Sequence, residues 1–264
     1  MNQINAIWNE NDPSPETLAS QAEIAAAQAA AIEARGRWSA TIEAGGTYKQ
    51  GNTDSLDGLG KIEALHKTPK DLLKFYLSGK YSEKNDARSD AEAKLGSLYE
   101  YMISKHWYTY LKSELEYDEF ENIDTRLTFS GGAGYYWLKK KHHELKTRAG
   151  LGYQHEKYRD YWKEDVKITG QTNDNVQLDI GLDYMVDLAD WLKFTHSATY
   201  LPTFEGLDDY RLIFDSALLM PLGDSKNWKL KLGALHEYDA IPQTDHERLD
   251  ETYYAAIVLN LNPD

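Results

Sequence analysis

Ionisable residues recur at every second position along much of this chain. From 107 to 118, Tyr108, Tyr110, Lys112, Glu114, Glu116 and Asp118 share one parity, and Thr109, Leu111, Ser113, Leu115 and Tyr117 share the other. A β-strand sends alternate side chains to opposite faces, so carboxylates and ammonium groups on neighbouring strands come within pairing reach. The same parity elsewhere collects Glu43, Glu63, Glu92 and Lys94, then Lys146 and Arg148, then Asp179 and Asp183, and finally Arg211, Asp215 and Glu237. Such a set offers ion pairing across strands, or a charged wall along which ions and small solutes move, tilted towards cations by the acidic excess. It offers no covalent chemistry.

The elements that would position these groups follow from the same alternation. Units of about ten to fifteen alternating residues, each closed by a turn signal, run from Trp38 to the end of the chain. They lie at 38–48, 56–67, 71–83, 89–103, 107–118, 126–138, 144–156, 175–187, 191–201, 209–221, 228–238 and 250–261. Longer joins such as "EFENID", "KYRDYWKEDVKITGQTND", "TFEGLDD" and "DAIPQTDHERLD" alternate with tight ones such as "KKKH" and "LAD". That rhythm predicts an all-β, up-and-down antiparallel barrel of about twelve strands, with long loops on one rim and short turns on the other.

Which face meets water decides the class. A barrel of this size is too wide to fill with the Ala, Thr, Leu and Ile of the uncharged parity, because side chains fill barrels only up to about eight strands. Aromatics of that parity gather at strand ends. Trp38, Tyr99, Tyr101, Trp107, Tyr135, Trp137 and Trp228 stand towards the tight-turn rim; Tyr48, Tyr81, Tyr117, Tyr153, Tyr200, Tyr210 and Tyr238 stand towards the long-loop rim. Two aromatic girdles around an aliphatic band are the signature of a lipid-facing exterior. The charged parity then lines the lumen, where Gly132, Gly134, Gly150, Gly152, Gly181 and Gly233 would leave room for long side chains. A soluble two-sheet binding protein with the charged face outward is the competing architecture.

Composition agrees with a membrane barrel. Lys+Arg number 29 against Asp+Glu 43, a formal net charge of -14, which excludes an electrostatic nucleic-acid binder. Cysteine is absent, so neither a disulfide framework nor a thiolate metal site exists. No apolar run reaches the length of a transmembrane helix. Ahead of the strands, "SPETLASQAEIAAAQAAAIEARG" predicts a helix over about 15–34, with Ser14 as cap, Pro15 in the first turn and Gly36 as stop. Its Ala-rich surface suits a solvated leader over 1–35, preceding a barrel domain over 36–262. The opening residues lack a signal-peptide pattern, and removal of an export signal is expected.

Several motifs carry a resemblance. "GNTDS" at 51–55, "YLKSELEYDEFENIDTR" with Asp-Glu-Phe and then Asp-x-Arg at 118–126, "GGAGY" and "RAGLGYQHE" make the stretch from about 37 to 262 resemble the salt-induced outer-membrane protein family, whose activity is unknown. The resemblance implies an outer-membrane barrel connected with salt stress. The end, "VLNLNPD", departs from the terminal aromatic usual in such barrels.

The functional expectation is a narrow passive channel or a structural envelope protein of the Gram-negative outer membrane. Both chain ends would be periplasmic, and lipid and lipopolysaccharide would surround it. No cofactor, metal or nucleic acid is expected. An enzymatic alternative rests on His196 and His236, which share the lipid-facing parity with Ser216: a Ser/His pair there could hydrolyse a lipid ester, the His taking the hydroxyl proton. The 157–174 join, with Tyr158, Tyr161 and Trp162 among mixed charges, reads as a solvated lid or a recognition loop. Asp208 and Asp209 could hold Ca²⁺ between lipopolysaccharide heads, although their spacing matches no calcium-binding loop.

Overall fold

Backbone polar groups cannot remain unpaired in hydrocarbon, so a membrane-crossing sheet has to close on itself. In the computed structural model, which describes residues 14–50, 55–84, 87–119, 123–163, 166–204, 208–241 and 248–262, the sheet does close. Helix α1 (Pro15–Ala34) precedes β1 (Arg37–Gln50), β2 (Ser55–Lys67), β3 (Asp71–Lys84), β4 (Ala87–Met102), β5 (Trp107–Asp118), β6 (Ile123–Lys140) and β7 (His143–Tyr158). A small hairpin follows, β8 (Tyr161–Lys163) and β9 (Val166–Ile168), and then β10 (Thr172–Ala189), β11 (Leu192–Pro202), β12 (Tyr210–Pro221), β13 (Trp228–Asp239) and β14 (Leu249–Leu261).

Twelve of these strands form the barrel, each antiparallel to its sequence neighbours, with β10 beside β7 and with β1 beside β14 at the seam. The seam runs from Ala40↔Leu261 to Gln50↔Glu251, and the Thr41 hydroxyl donates across it to Asn260 at 3.1 Å. Hairpin β8–β9 stands apart as a two-stranded sheet inside the 157–174 join, so that join is partly structured rather than a plain loop.

Local chemistry explains the tight turns. The Thr68 hydroxyl accepts from the amides of Lys70 and Asp71 at 3.1 and 2.9 Å and donates to the Asp71 carboxylate at 2.8 Å. The hydroxyls of Ser104 and Ser225 likewise accept from the amides of Trp107 and Trp228, each at 3.1 Å. These side-chain bonds occupy amides that turn residues leave free. Gly223, at φ 60°, supplies the left-handed residue of the β12–β13 turn.

At the start of the chain, the Ser14 hydroxyl caps α1 by accepting from the Thr17 amide at 3.1 Å, and Gly36, at φ 70°, ends the passage into β1. The helix side chains from Glu16 to Gln28 are exposed. Residues 51–54 of the "GNTDS" motif, 242–247 of the last long join, and the side chains of Tyr48, Tyr161 and Trp162 lie outside what is described.

Exposure distinguishes the two faces. Leu95, Leu111 and Leu151 are 54%, 61% and 60% exposed on the outer surface, whereas Glu116 and Asp179, on the other parity, are 5% and 2% exposed. Aliphatic side chains out and ionised ones in is the reverse of a water-soluble sheet protein. The molecule is a transmembrane barrel. Candidate membrane-crossing helices are absent among the described residues, and crossing falls to the strands.

Candidate functional site: the charged interior

On the inner wall, one register row joins four strands with alternating charge. Lys94 on β4 stands opposite Glu116 on β5, Glu116 opposite Arg126 on β6, and Arg126 opposite Glu156 on β7. The Lys94 ammonium lies 3.1 Å from Glu116 and 2.6 Å from Glu92; Arg126 donates to Glu116 at 3.0 Å and also to Glu156. Lys80 on β3 extends the row by a contact with Glu92 at 2.9 Å. Charges that nearly leave water need this density of opposite partners, since an unpaired buried ion costs several kcal/mol.

A second group lies nearer the tight turns. Lys146 reaches Glu100 at 2.5 Å and Asp183 at 4.0 Å, and the Tyr136 hydroxyl donates to the other Glu100 oxygen at 3.3 Å. Arg148 donates to Asp179, Asp183 and Thr199 at 3.1, 3.4 and 3.0 Å, and the Ser130 hydroxyl completes Asp179 at 2.6 Å.

Elsewhere on the wall Lys231 meets Glu43 at 3.0 Å, and the Tyr254 hydroxyl donates to Asp215 at 2.7 Å. Glu63 lies 3.4 Å from Lys61 and 4.0 Å from Lys74, the Tyr76 hydroxyl donates to Glu114, and Arg211 stands 4.0 Å from Glu237. Asp118 is buried at the end of β5, and Lys112 is half-buried on the same parity.

Sequence reasoning omitted Glu100, Arg126, Glu156, Lys80 and Lys231 from the candidate set, although each stands on the charged parity of its strand and the alternation could have found them. It also left the role of the inner tyrosines unread. Two of the six glycines leave room for tyrosine rings, a Cβ on Gly134 standing 2.1 Å from the Tyr108 ring and one on Gly233 2.2 Å from Tyr254, as does Gly96 for Tyr76 at 2.1 Å, whereas at Gly132 and Gly150 a Cβ would meet the backbone of the neighbouring strand at 2.2 and 2.3 Å. Gly181 lies beneath the Arg148 guanidinium instead, with its Cβ position 2.3 Å away.

Outside, aromatic residues meet at both rims. Trp107, Tyr135 and Trp137 form an edge-to-face chain at 5.1 and 4.9 Å, and Trp38 leans on His66 at 4.9 Å. Tyr200, Tyr210 and Tyr238 form a chain at 5.5 and 5.8 Å by the long loops. Tyr81, Tyr99, Tyr101, Tyr117, Tyr153 and Trp228 are exposed on the same outer face, as is Trp191 in a tight turn. Between the Trp107 chain and Phe214 the outer wall is concave, enclosing about 780 Å³ over Ala133, Ala149, Leu182 and Ala198.

Among the polar pairs on this exterior are two that hold a histidine of the lipid-facing parity. His196 Nδ1 lies 2.8 Å from the Ser216 hydroxyl, and His236 lies 3.4 Å from Glu251. The first pair is the contact a Ser/His hydrolase needs, but the rings stacked beside His196 are Phe194 and Phe214, which cannot orient its second nitrogen as a triad's third group does. Each partner satisfies the other's hydrogen bond inside hydrocarbon, an adequate physical reason for the pair. At the long-loop rim, burial raises the Asp209 carboxyl above the ordinary aspartate range, and the Thr203 hydroxyl, donating at 3.3 Å, opposes the rise. No group of three or more potential metal ligands occurs among the described residues.

The family model for a protein of unknown function, DUF481, matches residues 42–260. The chain belongs to the DUF481 family. That match covers the barrel from the first strand to the last, including the "DEF…D-x-R" and "GGAGY" segments that supply Arg126, Gly132 and Gly134 to the inner wall.

Curated proteins show no significant match to this DUF481 member. Among solved structures it is similar to the translocator domain of the autotransporter NalP from Neisseria meningitidis, at 12% identity and TM-score 0.53, covering 94% of this chain and 98% of that one. It is also similar to the NanC porin, at 9% identity and TM-score 0.54, covering 83% and 98%. At such identities the likeness concerns the fold.

Proposed function

We propose that this DUF481 protein is a narrow passive channel of the bacterial outer membrane, passing ions or small solutes with a preference for cations. The observation that carries this reading is the ionised inner wall of a closed barrel. Beside the buried pairs, wall charges that keep part of their surface open, such as Asp183 at 40% and Glu63 and Glu237 at about a quarter, attract counter-ions along the axis, which a purely structural barrel does not need. No covalent step belongs to this function. The tight turns and both chain ends face the periplasm, and the long loops face lipopolysaccharide. The connection with salt stress implied by the resemblance is part of the proposal, since a charged bore responds to ionic strength.

Reconstitution of the purified protein in planar bilayers tests it. Discrete current steps, with a reversal potential in a salt gradient displaced towards the cation, are expected. A preparation that inserts and gives no steps would assign the protein to a structural role in the envelope instead.

A further inference from the structure

The ion-pair row on the inner wall does not stay on the wall. Lys94 projects from β4, and its ammonium lies 4.0 Å from Glu237 of β13. Around the ring, β14, β1, β2 and β3 separate these strands on one side, and β12, β11, β10, β7, β6 and β5 on the other. The contact therefore spans the bore. Arg211 of β12 stands 4.0 Å from the same Glu237 oxygen, so the far wall contributes a cation as well. Glu116 and Glu237 lie two residues from the long-loop ends of their strands, which sets this crossing in the surface-facing half. Pairs such as Lys231 with Glu43, two strands away, follow the wall instead.

We infer that the Lys94–Glu237 contact is the constriction of the channel and that these two side chains determine which ions pass it. This rests on the channel reading above. An ammonium held between Glu92, Glu116 and Glu237 divides the bore at that height, and an ion passing there meets one member of the pair. Neutralising Lys94 removes the bridging cation and leaves its three carboxylates facing the path. Neutralising Glu237 removes the far-wall anchor and leaves Lys94 and Arg211 facing it. Both changes remove the attraction that holds the bridge across the bore, but they alter its charge in opposite senses. A contact serving only to brace the barrel would not have that signature.

The test compares wild type with Lys94→Gln, Glu237→Gln and, as a wall-pair reference, Lys231→Gln in planar bilayers with potassium chloride. Each variant is first checked for the heat-dependent gel migration of a folded barrel. The expected result is a larger unit conductance for Lys94→Gln and Glu237→Gln than for wild type. The reversal potential moves towards the cation for Lys94→Gln and towards the anion for Glu237→Gln, and Lys231→Gln changes either quantity less. A silent wild type with a conducting Lys94→Gln would likewise support the constriction, while overturning a standing channel. Folded variants that conduct with wild-type steps and wild-type reversal potentials would overturn the inference and leave the channel reading intact. Silence from every protein would overturn the channel reading, and the inference with it.

Discussion

The inner glycines show how single residues determine what the wall can hold. Tyr108 is almost wholly buried, its hydroxyl donates to the Thr147 carbonyl at 3.2 Å, and its ring occupies the space a Gly134 Cβ would need. Gly134→Ala therefore forces the ring off its site and should cost about 1–3 kcal/mol, the usual penalty for overpacking. Combined with Tyr108→Ala, which empties that space, the glycine substitution should cost much less, and urea unfolding in detergent micelles measures both. Sequence reasoning could see Gly134 on the charged parity. It could not see a tyrosine above it, because that depends on which neighbouring ring leans across the strand. The trans-barrel partner of Lys94 is hidden for the same reason: alternation assigns a residue to a face, and only closure chooses what stands opposite.

Whole strands were far more legible than such contacts. The alternation at 71–83 became Asp71–Lys84, that at 107–118 became Trp107–Asp118, and the helix expected over 15–34 is Pro15–Ala34. Period-two patterns longer than ten residues have few competing readings. Hairpin β8–β9 escaped because three-residue strands are too short to show a period. The strand scale also offers the sharpest test of orientation. Leu151 lies near the middle of β7 on the outer face, so Leu151→Arg should destabilise the barrel in lipid by about 2–4 kcal/mol, the cost of a cation on a lipid-facing strand at mid-membrane. An exposed leucine on a water-soluble protein would accept arginine almost without penalty, and unfolding titrations in phospholipid vesicles distinguish the two cases.

For the molecule as a whole, a continuous apolar exterior has to be covered by something. The purified protein should therefore remain monodisperse only with detergent or lipid present, and lose its folded gel migration or precipitate when the amphiphile is removed, as light scattering would record. A negative overall charge, -14 by formal count, does not rescue solubility, because the exposed aliphatic and aromatic band of the exterior carries little of it.

The pairing of β1 with β14 has a consequence for biogenesis. Its partners, such as Ala40 and Leu261, are separated by nearly the entire polypeptide. Until the last strand arrives, the first presents a bare row of amides and carbonyls, which hydrocarbon does not tolerate. Assembly therefore cannot proceed hairpin by hairpin as the ribosome works: the chain must reach its destination complete, kept from aggregation on the way, and enter the bilayer as its two extremities meet.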